Sequence, residues 1–193
     1  MPPADDTTYE IRTATPEDAG LVEALDGSFT TATVFHVETA EDGFTLRETA
    51  VDPPLTKVFP DDGDDSTDEG DQELRKDPTF LAVAPDGSLA GFVSVAYARW
   101  NRRLTIEDIE VAPDHRGRGV GRALMSRAEE FARERGAGHI WLEVTNINAP
   151  AIHAYRRMGF ALCGLDTSLY EFTASAGEYA LYLSKPCRGA NRD

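Results

Sequence analysis

The residues best suited to chemistry form a basic, glycine-rich turn at positions 116–121, which reads Arg-Gly-Arg-Gly-Val-Gly. A strand-like run precedes this turn, and a long segment with helical periodicity follows it. Glycines allow a backbone to approach a ligand closely, and the unpaired N–H groups at the start of a helix attract anions. The turn therefore predicts a binding site for a phosphorylated ligand, with a pyrophosphate as the best match.

The spacing of the glycines excludes two common phosphate-binding motifs. A P-loop needs Lys followed by Ser or Thr after its glycines, and no such pair follows here. A dinucleotide-binding fingerprint needs a third glycine where Arg122 and Leu124 stand. The pattern that fits is Arg-x-x-Gly-x-Gly, formed by Arg116, Gly119 and Gly121. It resembles the coenzyme A pyrophosphate loop of the GCN5-related N-acetyltransferases, although such turns also occur for structural reasons alone.

A second signature of the same superfamily follows, with the pattern Asn-x-x-Ala-x-x-x-Tyr-x-x-x-Gly-Phe starting at Asn148. Asn148 is a favourable N-cap, and Pro150 suits the first turn of a helix. Gly159 can end that helix in a left-handed conformation. Because two motifs occur in the expected order, the chain resembles this superfamily over about residues 8–186. The resemblance implies an α/β fold with a mixed central sheet flanked by helices.

The resemblance also implies acetyl-CoA as co-substrate, with no metal. The residues expected to bind the coenzyme are Ile109, Val111, Ala112, Arg116, Gly117, Arg118, Gly119, Val120, Gly121, Arg122, Asn148, Ala151 and Tyr155. The backbone of residues 109–112 would pair with the pantetheine arm, and the Val111 amide would polarise the thioester oxygen. A role as helix cap is the alternative for Asn148, because capping alone explains an asparagine at this position.

A primary amine is the simplest acceptor for such a thioester. An amine with a pKa near ~10 is mostly protonated at neutral pH and must lose a proton before it attacks. Direct attack therefore needs a base and a donor for the leaving sulfur, but no nucleophilic Ser or Cys. Tyr155 matches the superfamily tyrosine that protonates or hydrogen-bonds that sulfur. An aromatic residue at helical spacing can instead be part of the core.

Acidic residues on the strand before the turn are the candidates for the base. Strict alternation along a strand would put Glu107 on one face and Asp108 with Glu110 on the other. We favour Glu107, because it shares its face with Ile109 and Val111, where superfamily enzymes often keep an acid that acts through a water. Asp108 and Glu110 are the alternates, and a solvated or structural role is open for all three.

Further segments resemble one antibiotic-modifying branch of this superfamily. These segments lie at residues 23–31, 51–62, 100–105 and 160–166. The resemblance implies a small cationic amine as the acceptor substrate. Candidate residues for binding it are Asp26, Trp100, Glu143, Asp166 and Tyr170. Simple packing is the alternative role for Trp100.

The periodicity of the rest of the chain predicts the elements that position these motifs. Strands are predicted at residues 9–12, 79–84, 88–97, 104–111, 139–144, 161–166 and 179–184, and helices at 119–135 and after the caps Thr15 and Asn148. Leu21, Val22 and Leu25 are predicted as the buried face of the first helix. An extra hairpin near residues 33–50 either forms a wall of the acceptor site or covers a sheet edge.

Length and composition predict a single domain over residues 1–193, and the resemblance implies that it is an N-acetyltransferase domain. Within it, residues 61–77 are expected to form an acidic flexible loop, and residues 188–193 a loose tail. Electrostatic attraction of a cationic substrate is the alternative role of the acidic loop.

The net charge of −15 argues against a nucleic acid partner, because its phosphates would be repelled. No apolar stretch approaches the ~20 residues needed to span a bilayer, and the N-terminus lacks a signal-peptide pattern. Cys163 and Cys187 are too few to suggest zinc and are predicted to be free thiols. The sequence thus predicts a cytoplasmic enzyme without membrane or metal, and leaves a homodimer open.

Two other functions stay open. The acceptor could be another small amine or a protein lysine, although the extra hairpin would obstruct the open groove that a peptide needs. The chain could also be a non-catalytic acyl-CoA-binding module. Tyr155 and the acids on the strand before the turn argue against that module, because binding alone does not need them.

Overall fold

The structure is a computed structural model that describes residues 8–59 and 77–187. The predicted loose tail lies outside these residues, as does the predicted acidic loop except for Asp77. The described residues form two compact units. The first unit comprises residues 8–27, 77–140 and 186–187, and the second comprises residues 28–59 and 141–185. That the whole chain acts as one domain stays a prediction.

The described elements follow the predicted order. The strands are β1 (Glu10–Thr13), β2 (Phe29–Ala40), β3 (Gly43–Lys57), β4 (Thr79–Val83), β5 (Leu89–Ala98), β6 (Arg103–Val111), β7 (His139–Thr145), β8 (Ala161–Asp166) and β9 (Ala180–Pro186). The helices are α1 (Ala19–Glu23), α2 (Val120–Glu134) and α3 (Ala149–Arg157), with 3-10 turns at Pro16–Asp18 and Pro113–His115. The structure contains a seven-stranded sheet and a separate two-stranded sheet made of β2 and β3.

In the first unit, four antiparallel strands lie in the order β1-β4-β5-β6. Helix α2 contacts β4, β5 and β6 with a buried apolar face that includes Leu124, Ala128 and Phe131. Gly136 ends α2 at a φ of 70°, where a side chain would be strained. Within the part of the chain that the structure describes, no helix is long and apolar enough to cross a membrane.

In the second unit, the predicted extra hairpin is confirmed and is longer than its sequence pattern indicates. Strands β2 and β3 pair from Phe29 opposite Lys57 to Ala40 opposite Gly43. In the same unit β9 lies between β7 and β8. Cys163 of β8 is exposed and Cys187 of the first unit is half-buried, and neither forms a disulfide within the described residues.

Asn146 fastens the hairpin to the end of β7 by four hydrogen bonds. Its backbone carbonyl accepts from the Phe35 N–H at 2.9 Å, and its side-chain Nδ2 donates to the Phe35 carbonyl at 2.7 Å. Its Oδ1 accepts from the Tyr179 N–H at 2.7 Å, and its own N–H donates to the Tyr179 carbonyl at 2.9 Å. Asn146 is only 7 % exposed. Its side chain provides hydrogen-bond partners for two backbone groups, the Phe35 carbonyl and the Tyr179 N–H.

Replacing Asn146 with Ala should destabilise the protein without touching any candidate site residue. Two buried backbone groups would lose their partners, which should cost about 2–4 kcal/mol and lower Tm by roughly 5–15 °C. Thermal unfolding measures the loss, with Glu171→Ala at an exposed turn as the control. A Tm equal to that of the control would show that these hydrogen bonds contribute nothing to stability.

Candidate active site

The glycine-rich turn that follows β6 presents an open backbone. Gly117 and Gly119 have φ values of 74° and 88°, which favour glycine. A Cβ at either position would meet no atom within 4 Å, so the space beside the turn is empty. Helix α2 starts at Val120. The first N–H groups of a helix have no carbonyl acceptor within that helix. The turn therefore offers the open face and the positive helix end that an anion needs.

Arg116 of this turn binds the protein itself. Its Nε donates to the Val111 carbonyl at 2.9 Å, and its Nη2 donates to the Asp26 carbonyl at 3.3 Å. The guanidinium thus ties the end of β6 to the turn that follows α1. The coenzyme contact predicted for Arg116 consequently rests on its place in the turn rather than on a guanidinium that points into solvent.

The three acids of β6 line one cavity, and the prediction that alternation separates them is wrong. Ser94 of β5 pairs with Asp108, whereas the next residue, Val95, pairs with Ile106. Glu107 is therefore the extra residue of a β-bulge, which re-aims the side chains around it. The cavity has a volume of about 420 Å³. This acidic cavity is lined by Val22, Glu23, Leu25, Phe92, Ser94, Glu107, Asp108 and Glu110.

Sequence reasoning missed the contribution of α1 to the acidic cavity. Leu21, Val22 and Leu25 were predicted to be buried. Val22 and Leu25 line the cavity and are half-buried, whereas Leu21 is 56 % exposed. The predicted buried face is wrong at Leu21 because α1 has only five residues and its apolar side chains border a cavity. Glu23 adds a fourth acid, and the only available signal was its place in the segment that resembles the antibiotic-modifying branch.

Glu110 differs from an ordinary surface carboxylate. Burial first, and then the negative charges of Asp108 and Asp26, raise its pKa to about 7, while the Arg116 guanidinium acts in the opposite direction. Burial also raises the pKa of Asp108. A carboxyl with a pKa near neutrality is partly ionised at pH 7 and can both accept and release a proton. Glu110 is thus better suited to act as a base than its position in the sequence indicated.

The second unit holds the residues of the second signature. Helix α3 begins after Asn148, whose Oδ1 accepts from the Ala151 N–H at 3.1 Å as a cap. Tyr155 is half-buried on this helix, and its ring packs edge-on against Phe160 at 5.9 Å between centroids. Packing therefore explains the ring of Tyr155. The same half-buried position is compatible with a Tyr155 hydroxyl that hydrogen-bonds to a ligand.

Two of the predicted acceptor-binding residues come together in the second unit. The Tyr170 hydroxyl donates a hydrogen bond to Glu143. Burial raises the pKa of Glu143, and burial together with this hydrogen bond raises the pKa of Tyr170 well above its ordinary value. Asp166 instead holds the turn after β8, because its Oδ1 accepts from the Ser168 and Leu169 N–H groups at 2.8 and 3.1 Å. This turn gives Asp166 a structural role.

Trp100 and Asp26 lie in the first unit, outside the lining of the acidic cavity. Trp100 is 87 % exposed in the turn between β5 and β6, so packing is not its role. Asp26 is exposed and acts on the site through its charge near Glu110 and its carbonyl on Arg116. The structure thus groups Asp26 with Glu107, Asp108 and Glu110, and leaves Trp100 apart from them.

The fold is that of an acetyltransferase, and comparison with known proteins identifies the family. Residues 45–160 match the family model described as Acetyltransferase (GNAT) family. The chain is 66 % identical over 182 residues to streptothricin acetyltransferase of Streptomyces lavendulae, covering 94 % of this chain and 96 % of that protein. The chain therefore belongs to the GNAT family and is an N-acetyltransferase.

Solved structures agree with this assignment. A crystal structure of nourseothricin acetyltransferase is 68 % identical, with a TM-score of 0.85 over 94 % of this chain and 99 % of that chain. A structure from Bacillus anthracis in complex with acetyl coenzyme A has a TM-score of 0.74 over 94 % of this chain and 99 % of that chain, and its 24 % identity shows the shared fold. The predicted fold and family are confirmed, as is the resemblance to the antibiotic-modifying branch, which is that of the streptothricin (nourseothricin) acetyltransferases.

Proposed function

We propose that the protein transfers an acetyl group from acetyl-CoA to an amine of a streptothricin-class antibiotic and thereby inactivates the drug. The match to streptothricin acetyltransferase over nearly the whole length of both chains supports this substrate. The resemblance points to an amine of the β-lysine moiety. Acetylation removes a positive charge from a polycation, and we place the enzyme in the cytoplasm.

The turn at residues 116–121 fits the coenzyme. Its glycines leave an open backbone face, and the N–H groups at the start of α2 offer donors for a pyrophosphate. Residues 109–112 and 116–122 would hold the coenzyme, and the resemblance also implies coenzyme contacts for Asn148, Ala151 and Tyr155. When bound, the coenzyme supplies an acetyl group activated as a thioester.

The acidic cavity carries the proposal for the acceptor. Four carboxyl side chains line it beside apolar Val22, Leu25 and Phe92, so it suits the ammonium group and the aliphatic part of a cationic amine. Glu110 replaces Glu107 as our candidate for the base, because its pKa near 7 lets it take the proton from the ammonium. Asp108 and Glu23 would hold the positive charge of the substrate. Glu107 also lines this cavity and would add to its negative charge.

The second unit contributes the remaining proposed roles. The Tyr155 hydroxyl would hydrogen-bond or protonate the leaving sulfur, as the resemblance implies. The capped start of α3 at Asn148 and Ala151 would contact the coenzyme. Glu143, which accepts a hydrogen bond from Tyr170, keeps the acceptor-binding role that the resemblance implies, while Asp166 fixes the neighbouring turn.

Release of coenzyme A, followed with a thiol reagent, tests the proposed function. Streptothricin is compared with free lysine, an aminoglycoside and a histone-tail peptide at equal concentration. We expect kcat/KM for streptothricin to exceed that of every other acceptor by at least roughly 10²-fold, because several charged groups of the drug meet matching acids. Faster turnover of another amine would exclude the antibiotic as the substrate. Coenzyme binding without turnover of any acceptor would favour the non-catalytic module.

A further inference from the structure

Gly27 lies directly against the carboxyl group of Glu110. A Cβ built on Gly27 would stand 2.6 Å from Cδ and 2.8 Å from Oε2 of Glu110, and closer still to Oε1. Real Cβ atoms do not approach other atoms this closely. The absence of a side chain at position 27 is thus what allows this part of the backbone to cover the carboxyl.

Arg116 holds both sides of this contact. Its Nη2 binds the carbonyl of Asp26, which precedes Gly27, and its Nε binds the carbonyl of Val111, which follows Glu110. The two hydrogen bonds keep the turn after α1 at the end of β6. A residue of the proposed coenzyme loop therefore also fixes the distance between Gly27 and the carboxyl.

We propose that Gly27 is a positioning residue for the proton acceptor, because it lets the turn at residues 26–27 close over Glu110 and aim its carboxyl into the acidic cavity. Arg116 keeps the turn closed. The proposal rests on the proposed function, in which Glu110 takes the proton of the acceptor amine. It adds a residue whose only contribution to the reaction is the space that its missing side chain leaves.

Charged groups surround this carboxyl from each neighbouring element. They are Asp108 and Glu107 of β6, Glu23 of α1, Asp26 of the following turn and Arg116 of the glycine-rich turn. Strand β5 contributes the uncharged Phe92 and Ser94 to the same cavity. The covering turn lies directly against this carboxyl, and burial is the largest cause of its raised pKa.

Replacing Gly27 with Ala tests the proposal. The displaced atoms are the end of a flexible side chain, and Gly27 has no left-handed φ, so the protein should still fold. The carboxyl would turn away from the methyl group and toward water. We expect kcat/KM at pH 7 to fall by roughly 10–100-fold, because the base is misplaced. The acid limb of the pH profile should move to lower pH by about one unit or more, because a better hydrated carboxyl has a lower pKa.

Gly20→Ala is the matched control. Gly20 lies in the exposed part of α1, and a Cβ there meets nothing within 4 Å. This variant should keep the rate and the pH profile of the wild type. An unchanged pH profile in Gly27→Ala would overturn the positioning role.

A double variant separates positioning from general damage. Aspartate is one methylene shorter than glutamate, so in the Glu110→Asp background the methyl group added by Gly27→Ala has room beside the shortened side chain. Adding Gly27→Ala to that background should therefore cost less than about threefold in kcat. An equal loss in both backgrounds would also overturn the positioning role. Full activity of Glu110→Gln would instead remove Glu110 as the base and leave the steric contact intact, so the two failures are distinct.

Discussion

Glu110→Gln is expected to lower kcat at pH 7 by roughly 10²–10³-fold, the range that one positioned general base contributes. Glutamine keeps the shape of the side chain beside Gly27 but cannot take a proton. KM for the antibiotic should change by less than about tenfold, because three other acids remain in the acidic cavity. Steady-state release of coenzyme A between pH 6 and 9 measures both constants.

Matched variants show whether the loss belongs to Glu110. Glu107→Gln and Asp108→Asn remove one charge each from the same cavity and should raise KM more than they lower kcat. Glu143→Gln removes the buried acid of the second unit. If Glu143→Gln abolishes turnover while Glu110→Gln remains active, the base lies in the second unit and our assignment is wrong.

Glu110 should also make stability depend on pH. Its folded pKa of about 7 lies above the ordinary carboxyl value of ~4.3, so the folded state binds more protons than the unfolded state between these values. Stability from this group is therefore present at low pH and is lost as pH rises through that window. Glu110→Gln should raise Tm at pH 8 and leave it nearly unchanged at pH 4.

Tyr155→Phe is expected to lower kcat by roughly 10²-fold with little effect on KM, because in the proposed function the hydroxyl acts on the leaving sulfur. The phenyl ring can keep its packing against Phe160, so the Tm should stay within about 2 °C. Tyr182→Phe is the control, since its hydroxyl lies 3.5 Å from Asp166 and its ring stacks on Trp141. An unchanged kcat in Tyr155→Phe would leave only a packing role for this tyrosine and would remove it as the group that acts on the leaving sulfur.

The sequence predicted those parts of the fold that local signals determine. The glycine-rich turn, the amphipathic α2 and the cap at Asn148 each depend on residues within one or two helical turns. Their types and spacing therefore define them without knowledge of the rest of the chain. The start and end of β6 were also predictable to within about one residue, because its apolar run is bounded by turn signals.

The geometry of the acidic cavity was not predictable in the same way. The bulge at Glu107 exists because Val95 of another strand pairs with Ile106 and Ser94 pairs with Asp108. A periodicity taken from β6 alone cannot show an extra residue, and it therefore separated three acids that line one cavity. Likewise, Arg116 meets the Asp26 carbonyl across 90 residues of sequence. The pKa of Glu110 depends on its burial and on charged residues that include the distant Asp26, so the best candidate for the base emerged only from the fold.

The acidic cavity has a consequence for the end of the catalytic cycle. In the proposed function, its carboxyl groups attract an acceptor that carries an ammonium at the reacting position, and acetylation converts this ammonium to a neutral amide. The acetylated product therefore lacks the Coulomb attraction between the carboxyl groups and the ammonium nitrogen of the substrate. We expect the acetylated drug to dissociate readily and to inhibit the enzyme weakly. A negatively charged cavity therefore favours turnover, because it binds the cationic substrate more tightly than the product that is neutral at the same atom.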